Sequence, residues 1–335
     1  MQLVGNCPQG AAHTIPALRR LECLGGAGLA AAVVAGLAAA FTLAALGVGE
    51  TPGALTDWQA LTLGIVQGLT ELLPISSSGH LILVPWLGRW TYLEQHDVFN
   101  QTFDVALHLG TLVAVAAYFR HDIAGLVAAW LRSVGRRRVE RDEEKVAWLV
   151  AVATVPAALV GAVGEDLIAE RLGEPWQIAI LLAVFGLVLW LADRTRERRT
   201  IGGLGLGAAL VVGLAQAIAL MPGVSRSGIT ITAGRFLGLT REAAARFSFL
   251  LLVPIVLGAV LLKGWTDVVH GDLPAGWGGP FLVGTIAAAA SGLAAISALL
   301  GYVRRHDYSV FVVYRLAVAA FVLALIATGV RSATF

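Results

Sequence analysis

Gln67 and Glu71 stand four residues apart, a spacing that puts an amide and a carboxylate on one face of a helix. Ser77 and His80 stand three apart, so at the start of a following helix a hydroxyl and an imidazole can approach as nucleophile and base. The stretch that holds them, QGLTELLPISSSG from Gln67 to Gly79, returns as QAIALMPGVSRSG from Gln216 to Gly228. Gln216 follows Gln67, Ser225 follows Ser76 and Gly228 follows Gly79 by the same 149 residues, and Gly213 follows Gly64 by that number too. Arg226 takes the place of Ser77 in the second copy. With Ser225, Ser227 and Thr230 around it and a helix N-terminus beneath it, its guanidinium suits phosphate or carboxylate oxygens. These residues imply an anion site with a candidate nucleophile, a candidate base and a carboxylate able to hold a metal. They do not name the substrate. Plainer readings stand beside these: His80 hydrogen-bonded to a carbonyl, Ser76 to Ser78 capping a short helix, and Arg226 paired with Glu71.

The elements that must carry these residues are membrane-embedded. Hydrophobic residues make up 57% of the 335, charged residues 14%, and mean hydropathy is +0.78, whereas soluble domains carry about 25% charged residues. Runs long enough to cross ~30 Å of hydrocarbon predict spans at Cys23–Gly49, Val105–Phe119, Val146–Gly164, Trp176–Ala192, Phe247–Leu262, Gly276–Val303 and Val310–Val330. A net charge of +2 is too small to imply a nucleic-acid partner, and none is expected. Cys7 and Cys23 lie outside the repeat and suggest no disulfide framework or metal site.

Two stretches are too short to span. Leu81–Leu87 and Ile229–Gly234 each follow a Ser-x-Ser-Gly break, so each repeat reads as a re-entrant hairpin, with Trp58–Leu73 and Leu204–Leu220 leading in. Basic residues cluster at Arg132–Lys145, Arg194–Arg199, Arg235 with Arg241, and Arg304–Arg305, with two crossings between successive span-flanking clusters. All can then be cytoplasmic, with Arg19–Arg20 on the same side before the first span. The two hairpins enter from opposite faces in that topology. The expected fold is an all-α polytopic membrane protein, an inverted-topology repeat whose two re-entrant helical hairpins meet at a midplane site. Residues 1–56 read as an N-terminal extension with an uncleaved anchor helix, its run being too long for a signal peptide. Residues 57–335 read as one membrane domain, with repeats over about 57–199 and 200–335.

GIVQGLTELLPISSSGHL (Gly64–Leu81) and PGVSRSGIT (Pro222–Thr230) resemble the two signature segments of the bacterial undecaprenyl-diphosphate phosphatases, the bacitracin-resistance family. FDVALHLGTL (Phe103–Leu112) and REAAARFSF (Arg241–Phe249) extend the resemblance, which runs from about Asp57 to the C-terminus. It implies a plasma-membrane enzyme that hydrolyses undecaprenyl diphosphate to undecaprenyl phosphate, recycling the carrier for cell-wall synthesis, with Mg²⁺ or Ca²⁺ as cofactor. The family's acidic motif falls on Gln67 and Glu71 as metal residues, here in the variant with one carboxylate. Its active-site serine and histidine fall on Ser77 and His80, and its phosphate-clamping arginine on Arg226. Ser76, Ser78, Ser225, Ser227 and Thr230 are the expected substrate-binding hydroxyls. Ser77 would attack with His80 as base, or His80 itself would carry the phosphate. The expected partners are a polyprenyl diphosphate lipid and the membrane, with a homodimer as the candidate assembly. An anion transporter or lipid flippase is the alternative, since it would share the inverted repeat. Phosphatases of the phosphatidic-acid type are disfavoured because Thr232 stands where they need a second histidine.

Overall fold

A computed structural model describes residues 54–334 except 91, 94–95 and 272–275. The expected anchor Cys23–Gly49, the pair Arg19–Arg20 and both cysteines lie outside the described residues. The chain is all-helical, with no strand among the described residues. The first break lies between α1 (Asp57–Leu72) and α2 (Ser77–Gly88), followed by α3 (Asp97–Tyr118), α4 (Arg120–Arg136), α5 (Asp142–Arg171) and α6 (Pro175–Asp193). The second lies between α7 (Leu206–Ile218) and α8 (Arg226–Phe236), followed by α9 (Arg241–Lys263), α10 (Gly278–Val303) and α11 (Ser309–Ala327).

Among the described residues five helices are long and apolar enough to cross a membrane, or six when the bent α3–α4 pair counts as one. The protein is therefore a multi-pass membrane protein, and the six spans expected after residue 56 each fall on one of these helices. Two readings change. The stretch between the second and third expected spans is largely helical, because the chain turns by 85° after Tyr118 and continues as α4. The last expected span also contains a charge, Arg315, in the middle of α11.

Small residues let the broken helices pack closely. Gly64 and Gly68, one turn apart on α1, lie against Gly284, Ala288 and Gly292 of α10, so closely that a Cβ at either would collide with backbone. Gly213 does the same for α7 against Ala153 of α5. Such small-residue seams are how apolar helices associate where lipid removes the hydrophobic drive. Each repeat's first helix thus rests on a long helix of the other repeat. The outer face of α7 leaves Leu206, Leu210, Val211 and Leu214 exposed, as a lipid-facing surface requires.

Polar contacts sort the two ends of the bundle. At one end, Arg136 pairs with Glu144, Lys145 donates to the Gly202 carbonyl, Arg241 and Arg235 pair with Asp193, and Arg304 pairs with Glu242. All four basic clusters therefore share that end. At the other, Lys263 donates to Gln101 and Thr102 donates to Asp267. The start of α1 lies beside Gly279 at the head of α10, on this second end. The start of α7 follows Gly202, on the first.

Candidate active site

The site is built where the two breaks meet. Helix α1 stops at Leu72 because Pro74 cannot continue it, and α7 stops at Ile218 ahead of Pro222 and Gly223, whose φ of 98° suits glycine. Each outgoing helix is then capped by a serine: Ser76 Oγ accepts from Gly79 N, and Ser225 Oγ from Gly228 N. Ser227 Oγ donates to the Leu73 carbonyl at 2.9 Å, tying one tip to the other.

Arg315 does more. Its side chain is fully buried, and its guanidinium donates to the carbonyls of Pro74 in the first break and of Gly223 and Val224 in the second, as well as to Leu181 and Leu182 of α6. Five accepting carbonyls disperse the charge in place of a carboxylate, and one residue of α11 thereby fixes both tips.

Glu71 is the centre of the resulting cluster and is buried. One of its oxygens, Oε1, accepts from Arg226 Nη2 at 2.8 Å and Nε at 3.2 Å; the third Arg226 bond, from Nη1, goes to the Ser248 carbonyl at 2.9 Å. The other oxygen, Oε2, accepts the Ser77 hydroxyl through a short hydrogen bond and the Gln67 amide at 3.5 Å. His108 Nε2 faces this same oxygen at 3.4 Å. A hydroxyl, a carboxylate and a guanidinium from three helices thus converge at one buried point.

A family profile described as "Bacitracin resistance protein BacA" matches residues 60–321. The chain belongs to this family. It is similar to proteins named undecaprenyl-diphosphatase from Thermomicrobium roseum, 48% identical over 80% of this chain and 98% of the relative, and from Geobacter sulfurreducens, 48% identical over 79% and 96%. A third of that name, from Nocardioides, is 44% identical over 82% and 98%. The matched segment contains every residue of the cluster and begins beyond residues 1–56.

Within this family site the structure brings Gln67, Glu71, Ser77 and Arg226 together and sends His80 elsewhere. His80 Nδ1 bonds the Ser76 carbonyl at 2.6 Å, and Nε2 meets the Tyr314 hydroxyl at 2.7 Å with the two rings stacked. The expected Ser77–His80 pairing is thus replaced by Ser77–Glu71. The reason is rotational: on α2 the imidazole turns back along the helix to the carbonyl four residues earlier, while the Ser77 hydroxyl at the first position faces the end of α1. Of the other expected hydroxyls, those of Ser225, Ser227 and Thr230 are occupied structurally. Thr230 Oγ1 bonds the Arg226 carbonyl and Ser248 Oγ, Ser225 and Ser227 Oγ lie 3.3 Å apart, and Ser78 is half-exposed at the first turn of α2. Two residues of the site were missed. His108 lies in the FDVALHLGTL segment, and Arg315 is an ionisable residue inside a span, which is itself a functional signal.

Proposed function

We propose that this chain hydrolyses undecaprenyl diphosphate to undecaprenyl phosphate and inorganic phosphate, returning the lipid carrier to cell-wall synthesis. The observation that carries this reading is the Ser77 hydroxyl donating to Glu71 while Arg226 holds the other carboxylate oxygen. That is a nucleophile beside its base, with a phosphate-binding cation within reach.

The diphosphate draws the Arg226 guanidinium from Glu71 onto its own oxygens, where the N-termini of α2 and α8 add their dipoles. Such fixed positive groups usually supply the largest share of phosphoryl-transfer catalysis. Ser77 Oγ attacks the terminal phosphorus as its proton passes to Glu71 Oε2. The bond to the bridging oxygen breaks and its electron pair leaves on undecaprenyl phosphate. Water then adds to the phosphoserine, the P–Oγ bond breaks, and Oγ takes its proton back from Glu71 as phosphate departs. His80, held by Tyr314, positions the start of α2.

The family's divalent cation, Mg²⁺ or Ca²⁺, fits Glu71 and Gln67. Gln67 is fully buried, and its Oε1 has no hydrogen-bond partner in the protein. No group of three or more His, Cys, Asp or Glu among the described residues is arranged to hold a metal. Substrate oxygens would therefore complete the shell, as is common for Mg²⁺. The bound ion would neutralise charge on the leaving phosphate.

The prenyl tail stays in lipid. Helix α3, which carries His108, also lines an apolar groove of about 500 Å³ with α9 and α10, walled by Leu109, Phe281 and Leu282. The start of α1 at one end of the bundle and of α7 at the other supports two re-entrant hairpins of opposite direction in an inverted repeat. The same reading places the protein in the bacterial plasma membrane with the basic end cytoplasmic, and expects a homodimer, which light scattering in detergent checks.

The deciding experiment is phosphate release by the purified protein from long-chain prenyl diphosphate in detergent. One phosphate per lipid consumed is expected. Movement of lipid across vesicles without phosphate release would replace the enzyme with a transporter.

A further inference from the structure

Helix α4 presents three faces, as about 100° of turn per residue sorts its side chains. Ala129 and Ser133 point inward and are buried, with the Trp148 indole of α5 donating to Ser133 Oγ at 2.9 Å. Val127, Trp130, Leu131 and Val134 share a second face and are exposed. Arg132 and Arg136 occupy the third, in a stretch from Arg120 to Arg138 that holds five arginines and one acid, Asp122. The chain turns by 85° between α3 and α4. Where α3 crosses the membrane, α4 therefore lies along its plane, at the end where the basic clusters gather. A helix of this make-up settles its apolar face among acyl chains and its arginines among headgroups.

Beneath α4 is a groove of about 280 Å³. It is walled by Ile123 and Trp130 of α4, Val150 and Ala151 of α5, and Leu250 and Leu257 of α9, and every residue lining it is apolar. Ligand clefts run to about 300–1,000 Å³, so this one holds a stretch of one acyl chain and leaves a headgroup outside. Two cations meet at its basic end. Phe119, at the bend, is buried, and the Arg246 guanidinium of α9 lies 5.7 Å from its ring centroid, one turn before Leu250. Arg120 follows Phe119 directly and is exposed, one turn before Ile123. Glu242 pairs with Arg246 at 3.3 Å but also with Arg304 at 2.9 Å, so these three side chains together stay positive. The groove between α3, α9 and α10 differs: Lys263 in its lining has Asp267 4.0 Å away, which offsets the charge.

We propose that α4 and the groove beneath it form a site for one anionic phospholipid of the leaflet at the basic end, with an acyl chain in the groove and the headgroup phosphate between Arg120 and Arg246. Guanidinium groups suit phosphate oxygens, and an anionic lipid surface is attracted by each nearby arginine. A zwitterionic headgroup carries the same phosphate with a cation attached, so net charge is what this site selects. The site shares no residue with the Glu71 cluster and does not depend on the reaction proposed there.

The test uses the whole purified chain in detergent, stripped of lipid and titrated with dioleoyl-phosphatidylglycerol or dioleoyl-phosphatidylcholine, with retained lipid counted by native mass spectrometry. One phosphatidylglycerol should be retained at a concentration at least about tenfold below that needed for phosphatidylcholine, since two arginines act on the net charge. Arg120→Gln combined with Arg246→Gln should remove that preference. Ala151→Phe, which fills the groove, should weaken retention of both lipids, whereas Arg305→Gln, at the same end but outside the groove, should change neither. Each variant is first shown to be monodisperse by gel filtration, and the wild-type comparison of the two lipids stands without them. Equal retention of the two lipids by the wild type, or several lipids retained without preference, overturns the proposal. So does a preference that survives the arginine pair or retention that survives Ala151→Phe. Displacement of phosphatidylglycerol by an equal concentration of a long-chain prenyl monophosphate, lost in the same variants, would assign the site to the reaction's lipid product and overturn the phospholipid.

Discussion

At the first break Ser76 caps α2 with φ 77° and ψ 96°; at the second, 149 residues on, Ser225 caps α8 with φ 76° and ψ 113°. Both conformations lie where L-residues are rarely found, and each costs about 1–3 kcal/mol. The side chains on this shared backbone diverge. Glu71 faces Leu220 across the alignment, Ser77 faces Arg226, and His80 faces Ile229. The connecting segments differ too, with four residues between α1 and α2 and seven between α7 and α8. What the repeats retained is the strained turn that aims a helix N-terminus at a common point. What they divided is charge: the acid and hydroxyl on one tip, the guanidinium on the other. A single repeat could supply neither the ion pair nor the anion site.

The division is broken most directly at Ser77. Ser77→Ala should lower kcat at least about a thousandfold, roughly 4 kcal/mol, in protein that still folds, since the change removes one exchangeable hydrogen bond to Glu71. Ser227→Ala, which only unties the second tip from the Leu73 carbonyl, should lose about 1 kcal/mol of stability and less than tenfold in rate. Steady-state phosphate release from both variants makes the measurement. Equal losses would mean that the tips do not divide the chemistry.

The joint between the tips depends on Arg315. Arg315→Met leaves five buried carbonyls without this donor, so unfolding in mixed micelles should show a loss of at least about 3 kcal/mol. A loss under about 1 kcal/mol would show the tips to be held by their own contacts. Arg226→Lys acts on chemistry instead. It keeps the charge but not the paired donors, and losing one charge-assisted bond in the transition state should lower kcat/KM about ten- to a hundredfold. A Lys variant within about threefold of the parent would reduce Arg226 to a counter-charge for Glu71.

Much of this was legible in the sequence because repetition is a one-dimensional signal. The constant offset found both breaks, and it found Gly64 and Gly213 before their role as close-approach positions was visible. Spans were legible from length and hydropathy. Arg315 was not, because a single charge amid VVYRLAV leaves the apolar run intact and its partners are carbonyls, which no residue type announces. His108 stands at no helical spacing from Glu71, and only the packing of α3 brings them together. The α4 bend was hidden in a basic stretch that reads as a loop. The pairing of Ser77 failed for a local reason: spacing of three on a helix permits two side chains to meet, but the carbonyl four residues before His80 was nearer than the hydroxyl.

That local competition yields the smallest effect and the sharpest comparison, since Ile229 occupies the position of His80 in the other tip without any polar contact to replace. If His80 serves by joining α2 to α11, its value lies in the 2.7 Å contact with Tyr314, and either partner can be removed to lose it. His80→Ala and Tyr314→Phe should then each lower kcat/KM by about tenfold, near 1.4 kcal/mol. The double variant should fall only a few-fold further, because two changes that break one contact do not add. KM should move less than kcat, since neither residue touches the diphosphate. A base or nucleophile would behave otherwise: His80→Ala would abolish turnover while Tyr314→Phe, with the imidazole still in place, retained most of it. Acid quenching during turnover gives a second readout. An acid-stable phosphoserine at Ser77 is expected, and an acid-labile phosphate lost in His80→Ala would move the nucleophile to the histidine and the Ser77–Glu71 pair to a supporting role.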